Sequence, residues 1–119
     1  MANVLLVDDS NFMRKILSKI LQEEHRIVGE VGNGLEAVRS YEATRPDLVL
    51  MDIVMPEMDG IVATKEIISK HPEAKIIMCT SMGQEEKMKR AIEAGAKSYI
   101  VKPFQGPDVL KEIETVLGS

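Results

Sequence analysis

The stretch VLLVDDSNFMRKILSKIL, residues 4–21, decides the fold. It begins with four consecutive apolar residues, which is typical of a parallel strand covered on both faces. After Asp8-Asp9-Ser10 comes an apolar stripe at helical spacing, formed by Phe12, Met13, Ile16, Leu17, Ile20 and Leu21. Charged residues separate the members of this stripe, as on a helix with one face against a sheet. A buried strand followed directly by an amphipathic helix is the first part of a βαβ unit.

The same alternation repeats along the rest of the chain. Further apolar runs of strand length occupy residues 27–31, 48–51, 76–79 and 99–101. Gly29 and Glu30 interrupt the first of these runs, so we expect it at an edge of the sheet. A helical pattern follows each run, with apolar stripes centred on Val38, Thr64, Met88 and Ile113. The sequence therefore predicts an α/β fold, a single doubly wound parallel sheet of five strands flanked by five helices.

Composition limits the classes of function. The chain has 119 residues, which fits one domain over 1–119 with no output domain. The net charge of −4 and the low aromatic content of 3% argue against a nucleic acid partner. No apolar run approaches the roughly 20 residues that span a bilayer, so we expect no membrane partner. Because the single cysteine, Cys79, cannot form an internal disulfide, we expect a cytoplasmic protein. We also predict that the protein is a monomer.

Polar residues collect where the predicted strands end. Asp8 and Asp9 follow the first strand, Asp52 the third, Thr80 the fourth and Lys102 the fifth. The carboxyl ends of parallel strands meet at one edge of such a sheet. Crowded carboxylates either shift their pKa values upward or bind a cation, and oxygen ligands suit Mg²⁺. A carboxylate beside a metal and a lysine can also accept a phosphoryl group.

Taken singly, these residues have plainer interpretations. Asp8 or Asp9 could cap the first helix, as could Thr80 the fourth. Asp52 could be a turn residue, and a lone lysine such as Lys102 is usually solvated. Their joint occurrence at the ends of four strands favours the site.

Other candidate groups point to no chemistry. His25 and His71 are isolated in the sequence, and we predict no ligand or catalytic role for them. Met55, Met58, Met82 and Met88 lie in the loops and helix near the predicted site. Core filling is the ordinary role of such methionines, with an adaptable partner surface as the alternative.

Four segments in order resemble the receiver domain of two-component response regulators, over essentially the whole chain. They are VLLVDDS at 4–10, MDIVMPEMDG at 51–60, Thr80-Ser81 and VKPF at 101–104. The segments at 82–84, 94–97 and 102–105 resemble the stand-alone chemotaxis members of that family. The resemblance implies a flavodoxin-like sheet with strand order 2-1-3-4-5. It also implies a cis peptide bond between Lys102 and Pro103.

The resemblance also assigns roles to individual residues. Asp52 would be the phosphoryl acceptor, and Lys102 and Thr80 would contact the phosphoryl oxygens. Asp9 and Asp52 would bind Mg²⁺ directly, and Asp8 would bind it through water. The backbone carbonyl of Val54 would complete the protein ligands of the metal. Tyr99 would be the aromatic switch that turns inward when Thr80 moves.

The function implied by the resemblance is that of a chemotaxis response regulator, a signalling switch and not an enzyme. A sensor histidine kinase would supply the phosphoryl group. The phosphorylated form would bind a flagellar or archaellar motor switch protein or its adaptor, and a phosphatase is a further candidate partner. A phosphorelay intermediate and the isolated receiver domain of another response regulator remain alternatives. A Mg²⁺-dependent phosphatase is disfavoured because Val54 is apolar where such an enzyme needs a general acid.

Two apolar residues stand beside the predicted phosphoryl acceptor. Val54 occupies a position that is often polar in the best-known members of the family, and Met82 lies two residues beyond Thr80. Neither side chain can orient an attacking water molecule by hydrogen bonding. We therefore predict that phosphorylated Asp52 hydrolyses slowly. Ser81 stands where a small alanine is common and leaves less room for Tyr99 to turn.

Overall fold

The computed structural model describes residues 1–119 and contains the predicted alternation of five strands and five helices. The strands are β1 (Asn3–Val7), β2 (Arg26–Val31), β3 (Leu48–Asp52), β4 (Ile76–Ser81) and β5 (Ser98–Lys102). The helices are α1 (Asn11–Leu21), α2 (Gly34–Thr44), α3 (Gly60–Lys70), α4 (Glu85–Ala94) and α5 (Gly106–Leu117). No helix is long and apolar enough to cross a membrane.

The strands form one parallel sheet in the order β2-β1-β3-β4-β5, which confirms the predicted topology. The interrupted strand β2 lies at an edge, as expected. The register places Val7 beside Met51, Asp52 beside Cys79 and Ser81 beside Lys102. The ends of β1, β3, β4 and β5 therefore reach the same edge of the sheet.

Two apolar layers cover the sheet, and together they explain why its central strands are apolar on both faces. One cluster of 17 buried residues packs beneath α2, α3 and α4. A second cluster of 13 buried residues packs beneath α1 and α5. Leu5, Val49 and Ile76 point into the first layer, and the alternate residues of the same strands point into the second.

Phe12 does not belong to the buried face of α1, contrary to the sequence prediction. Its side chain is 72% exposed, whereas Leu17 and Leu21 are buried against the sheet. At about 100° per residue, Phe12 lies about 140° around the helix from Leu17. Met13 lies only about 40° from Leu17 and packs against the core. Phe12 therefore points outward from the first turn of the helix.

Dedicated capping residues begin the first three helices. Ser10 caps α1, Asn33 caps α2 and Asp59 caps α3, and each side chain accepts a hydrogen bond from a backbone N–H in the first turn. Because Ser10 caps α1, capping does not account for Asp8 and Asp9. The cap position of α4 is Gln84, so capping does not explain Thr80 either.

Candidate phosphoryl and metal site

The predicted site residues lie together at the carboxyl edge of the sheet. Asp8 and Asp9 follow β1 directly, and Asp52 is the last residue of β3. Carboxylate oxygens of these three residues lie within 4.8 Å of one another. Thr80 and Lys102 lie within the last two positions of their strands, slightly earlier than the sequence pattern predicted. The crevice therefore combines an acidic cluster with one lysine.

Lys102 bridges two of the three carboxylates. Its Nζ lies 3.2 Å from Oδ2 of Asp8 and 3.4 Å from Oδ2 of Asp52. The other oxygen of each carboxylate accepts a backbone N–H, from Ser10 to Asp8 at 2.9 Å and from Ile53 to Asp52 at 2.8 Å. These contacts fix the orientation of both carboxylates. Asp9 takes part in none of them.

The electrostatics of the crevice shift two pKa values. Burial raises the pKa of Asp52, and the Asp8 carboxylate adds to this rise, while Lys102 opposes it. Burial alone would lower the pKa of Lys102, but Asp52 and Asp8 outweigh it and raise that pKa. Lys102 therefore stays charged near neutral pH, and Asp52 is a carboxylate that burial and a like charge disfavour.

The arrangement fits a small divalent cation. Three carboxylates and one ammonium group leave two formal negative charges in excess at the edge of the sheet. The available donors are hard oxygen atoms, which Mg²⁺ prefers in proteins. The Asp9 carboxylate, which has no protein partner, is the donor least committed elsewhere.

The loop after Asp52 is held at its far end by Gly60. The Gly60 N–H donates to the carbonyl of Ile53 at 2.7 Å. A Cβ at position 60 would overlap the backbone carbonyl of Asp52, so only glycine fits there. Across the crevice, the peptide bond between Lys102 and Pro103 is cis, as predicted.

Comparison with known proteins identifies the family. The sequence model of the response regulator receiver domain matches residues 4–114. The chain belongs to the response regulator receiver family.

Among characterised relatives, the chemotaxis protein CheY of Halobacterium salinarum is 60% identical over 114 residues, covering 96% of this chain and 95% of that protein. CheY of Bacillus subtilis is 50% identical, covering 96% of each chain. Among solved structures, the CheX-CheY-BeF3-Mg complex of Borrelia burgdorferi aligns with a TM-score of 0.91 and 38% identity, covering 96% of this chain and 87% of that one. These similarities support a signalling switch of the chemotaxis type.

The structure places the predicted switch residues of the receiver domain on β4 and β5. Thr80 is buried beside Val101 of the neighbouring strand. Tyr99 lies on β5, and its side chain is 45% exposed. Ser81 follows Thr80 at the exposed end of β4. Thr80 and Tyr99 thus occupy adjacent strands, with the tyrosine outside the core.

The two apolar residues beside the predicted acceptor lie at the surface of the receiver domain. Val54, in the loop after β3, is 56% exposed, and Met82, just past β4, is 74% exposed. Of the other methionines near the site, Met55 and Met88 are buried in the core and Met58 packs against it. Three of these methionines therefore fill the core, and Met82 is exposed.

Neither histidine lies in the crevice. His25 directly precedes β2, and His71 directly follows α3. Nδ1 of His25 accepts the backbone N–H of Ala2 at 3.1 Å. Nε2 of His71 lies 2.7 Å from Oε1 of Glu42, between α3 and α2. Cys79 is buried within β4, and burial raises the pKa of its thiol to about 12.

Arg14 lies beside the crevice and was not among the predicted site residues. Its guanidinium donates to the backbone carbonyl of Asp8 and to the side chain of Asn11, and it lies 3.7 Å from Glu30 on β2. No sequence pattern indicates these contacts, because Glu30 is distant along the chain and the Asp8 acceptor is a backbone atom. Only the pairing of β1 with β2 brings these groups together.

Proposed function

We propose that this receiver domain is a chemotaxis response regulator that accepts a phosphoryl group on Asp52 in a Mg²⁺-dependent reaction. The observation that supports the proposal best is the convergence of Asp8, Asp9 and Asp52 within 4.8 Å, with Lys102 paired to two of them. The donor would be a phosphohistidine of a sensor histidine kinase, as the family membership suggests.

The chain's own residues supply most of what the transfer requires. A carboxylate oxygen of Asp52 would attack phosphorus while the bond between phosphorus and the donor nitrogen breaks. Asp9, Asp52 and the carbonyl of Val54 would hold Mg²⁺ directly, and Asp8 would hold it through water, so that the metal could neutralise charge on the transferring group. Lys102, already charged and aimed at Asp52, would pair with the phosphoryl oxygens after transfer.

Phosphorylation would then be read on β4 and β5. The hydroxyl of Thr80 would donate to a phosphoryl oxygen and move toward Asp52. Tyr99, now half-exposed, would turn into the space that Thr80 leaves. The altered surface would bind a flagellar or archaellar motor switch protein, or an adaptor, in the cytoplasm. A phosphatase would end the signal.

Labelling with a small acyl phosphate and Mg²⁺ tests the acceptor. We expect one phosphoryl group per chain by intact mass, and none in Asp52→Asn. Asp59→Asn is the matched control, since asparagine also caps a helix and the residue lies in the same loop. Stoichiometric labelling of Asp52→Asn would refute the assignment. Labelling of the parent in excess EDTA would refute the metal requirement.

Lysate of the source organism tests the downstream partner. Protein treated with beryllofluoride and Mg²⁺, a mimic of the phosphoryl group, should retain a motor switch protein or adaptor that untreated protein does not. Capture of a histidine phosphotransfer protein instead would favour a phosphorelay intermediate.

A further inference from the structure

Asp9 is the one member of the acidic cluster that no protein group holds in place. Its side chain is exposed and has no hydrogen bond or ion pair, whereas Asp8 and Asp52 each have a backbone donor and a lysine. Because no contact holds this side chain, the position of the Asp9 carboxylate is set by its own torsions and by the backbone that carries it. That backbone begins at the peptide group that joins Asp8 to Asp9.

This peptide group is held at its carbonyl oxygen. The N–H of Asp8 belongs to the preceding peptide group, and it anchors the Asp8 backbone by donating to the carbonyl of Val31 on β2 at 3.0 Å. The carbonyl of Asp8, which shares a rigid plane with the N–H of Asp9, accepts from the guanidinium of Arg14. Rotation of this plane would swing Asp9 away from Asp8 and Asp52.

Arg14 is itself tightly held. Its side chain is largely buried, its second terminal nitrogen donates to Asn11, and its Nε faces Glu30 at 3.7 Å. A planar guanidinium can make these three contacts together, and a lysine ammonium on its flexible stem cannot reproduce them. The side chain links α1, the β1–α1 loop and β2.

We propose that Arg14 is a positioning residue that holds the Asp8–Asp9 peptide so that Asp9 can bind the metal. The inference rests on the proposed Mg²⁺ site. It concerns the affinity of that site and not the transfer of a phosphoryl group.

The positioning role and a purely electrostatic role predict opposite signs. Arg14 is a positive charge near a cation site, so removing it as a charge alone would tighten Mg²⁺ binding. Removing it as a positioning group would weaken binding, because Asp9 would no longer be directed into the crevice. Groups that orient metal ligands typically contribute 10-fold or more to affinity.

The test is calorimetric titration of unphosphorylated protein with Mg²⁺. We expect the dissociation constant to rise about 10-fold in Arg14→Met and also to rise in Arg14→Lys, which keeps the charge. Arg39→Met is the matched control, an exposed arginine on α2, and should change the constant less than 2-fold. Unfolding in EDTA, followed by circular dichroism, shows whether each variant remains folded.

A double-mutant cycle with Asp9→Asn shows whether Arg14 acts through Asp9. If it does, Arg14→Lys should have little further effect on Mg²⁺ affinity in the Asp9→Asn background. Unchanged or tighter binding in both single Arg14 variants, or full additivity with Asp9→Asn, would overturn the inference alone. A parent that binds no Mg²⁺ overturns the inference and the metal site together. Failure of Asp52 labelling with Mg²⁺ binding intact contradicts only the proposed function.

Discussion

Neighbouring groups in the crevice have opposing effects on the pKa of Asp52. The pKa of Asp52 is raised by burial first and by Asp8 second. A carboxyl group with a raised pKa in the folded state stabilises the fold while it is protonated. This contribution is lost as the pH rises through that pKa. At neutral pH the ionised carboxylate therefore destabilises the metal-free protein.

The first prediction is that Asp52→Asn is more stable than the parent at pH 7.5 in EDTA. The advantage should shrink as the pH falls toward 4, the ordinary range of an aspartate. Lys102 does not titrate between these two pH values, because its raised pKa keeps it charged throughout this range. Urea unfolding at the two pH values measures the difference. An advantage that grows toward acid pH would contradict the direction of the Asp52 shift.

The second prediction concerns Val54 and Met82, which offer no hydrogen bond to a water molecule approaching phosphorylated Asp52. Placing Asn at Val54 and Glu at Met82 should speed spontaneous hydrolysis about 10-fold. This corresponds to about 1.4 kcal/mol from the two polar groups together. The measurement is the phosphoryl half-life of parent and double variant at fixed Mg²⁺. Val62→Asn, an exposed valine on α3, is a suitable control and should leave the half-life unchanged.

Capping side chains, together with apolar faces, fix where helices begin. Asp59 begins α3 by accepting the N–H of Val62 at 2.9 Å, and the next residue, Gly60, packs against the backbone of Asp52. The start of α3 is therefore coupled directly to the end of β3.

The third prediction is that Asp59→Ala lowers the free energy of unfolding by about 1 kcal/mol, whereas Asp59→Asn lowers it by less. Denaturant unfolding of the two variants at one pH checks this, and equal losses would show that the side-chain cap is not the cause.

Much of this element pattern could be predicted from the sequence. The apolar runs at 4–7, 48–51 and 76–79 are continuous because both faces of β1, β3 and β4 are buried, and this gave the strands and their parallel pairing. The strand order came from family resemblance and not from periodicity. Phe12 was misplaced because a stripe of apolar letters does not show how wide the buried face of α1 is. Arg14 was missed because its acceptor is a carbonyl and its ionic partner lies on another strand.

At the scale of the whole molecule, the sheet holds acidic groups from distant parts of the chain together. Asp8 directly follows β1, Asp52 ends the adjacent strand β3, and Lys102 ends β5, which lies beyond β4. Unfolding separates these groups and relieves the repulsion among the carboxylates. A cation that binds them binds the folded chain in preference to the unfolded chain, so it must stabilise the fold as a whole.

The fourth prediction is that Mg²⁺ raises the melting temperature of the parent in a concentration-dependent way. Free Mg²⁺ at ten times its dissociation constant should add about 1.4 kcal/mol, which corresponds to about 5 °C for a domain of this size. Asp9→Asn should show little of this rise, although relief of repulsion should make it at least as stable as the parent in EDTA. NaCl at matched ionic strength separates metal binding from general screening, which also weakens carboxylate repulsion. If Asp9→Asn responded to Mg²⁺ as strongly as the parent does, Asp9 would not be a direct ligand, and the crevice would bind its cation through its other oxygen donors.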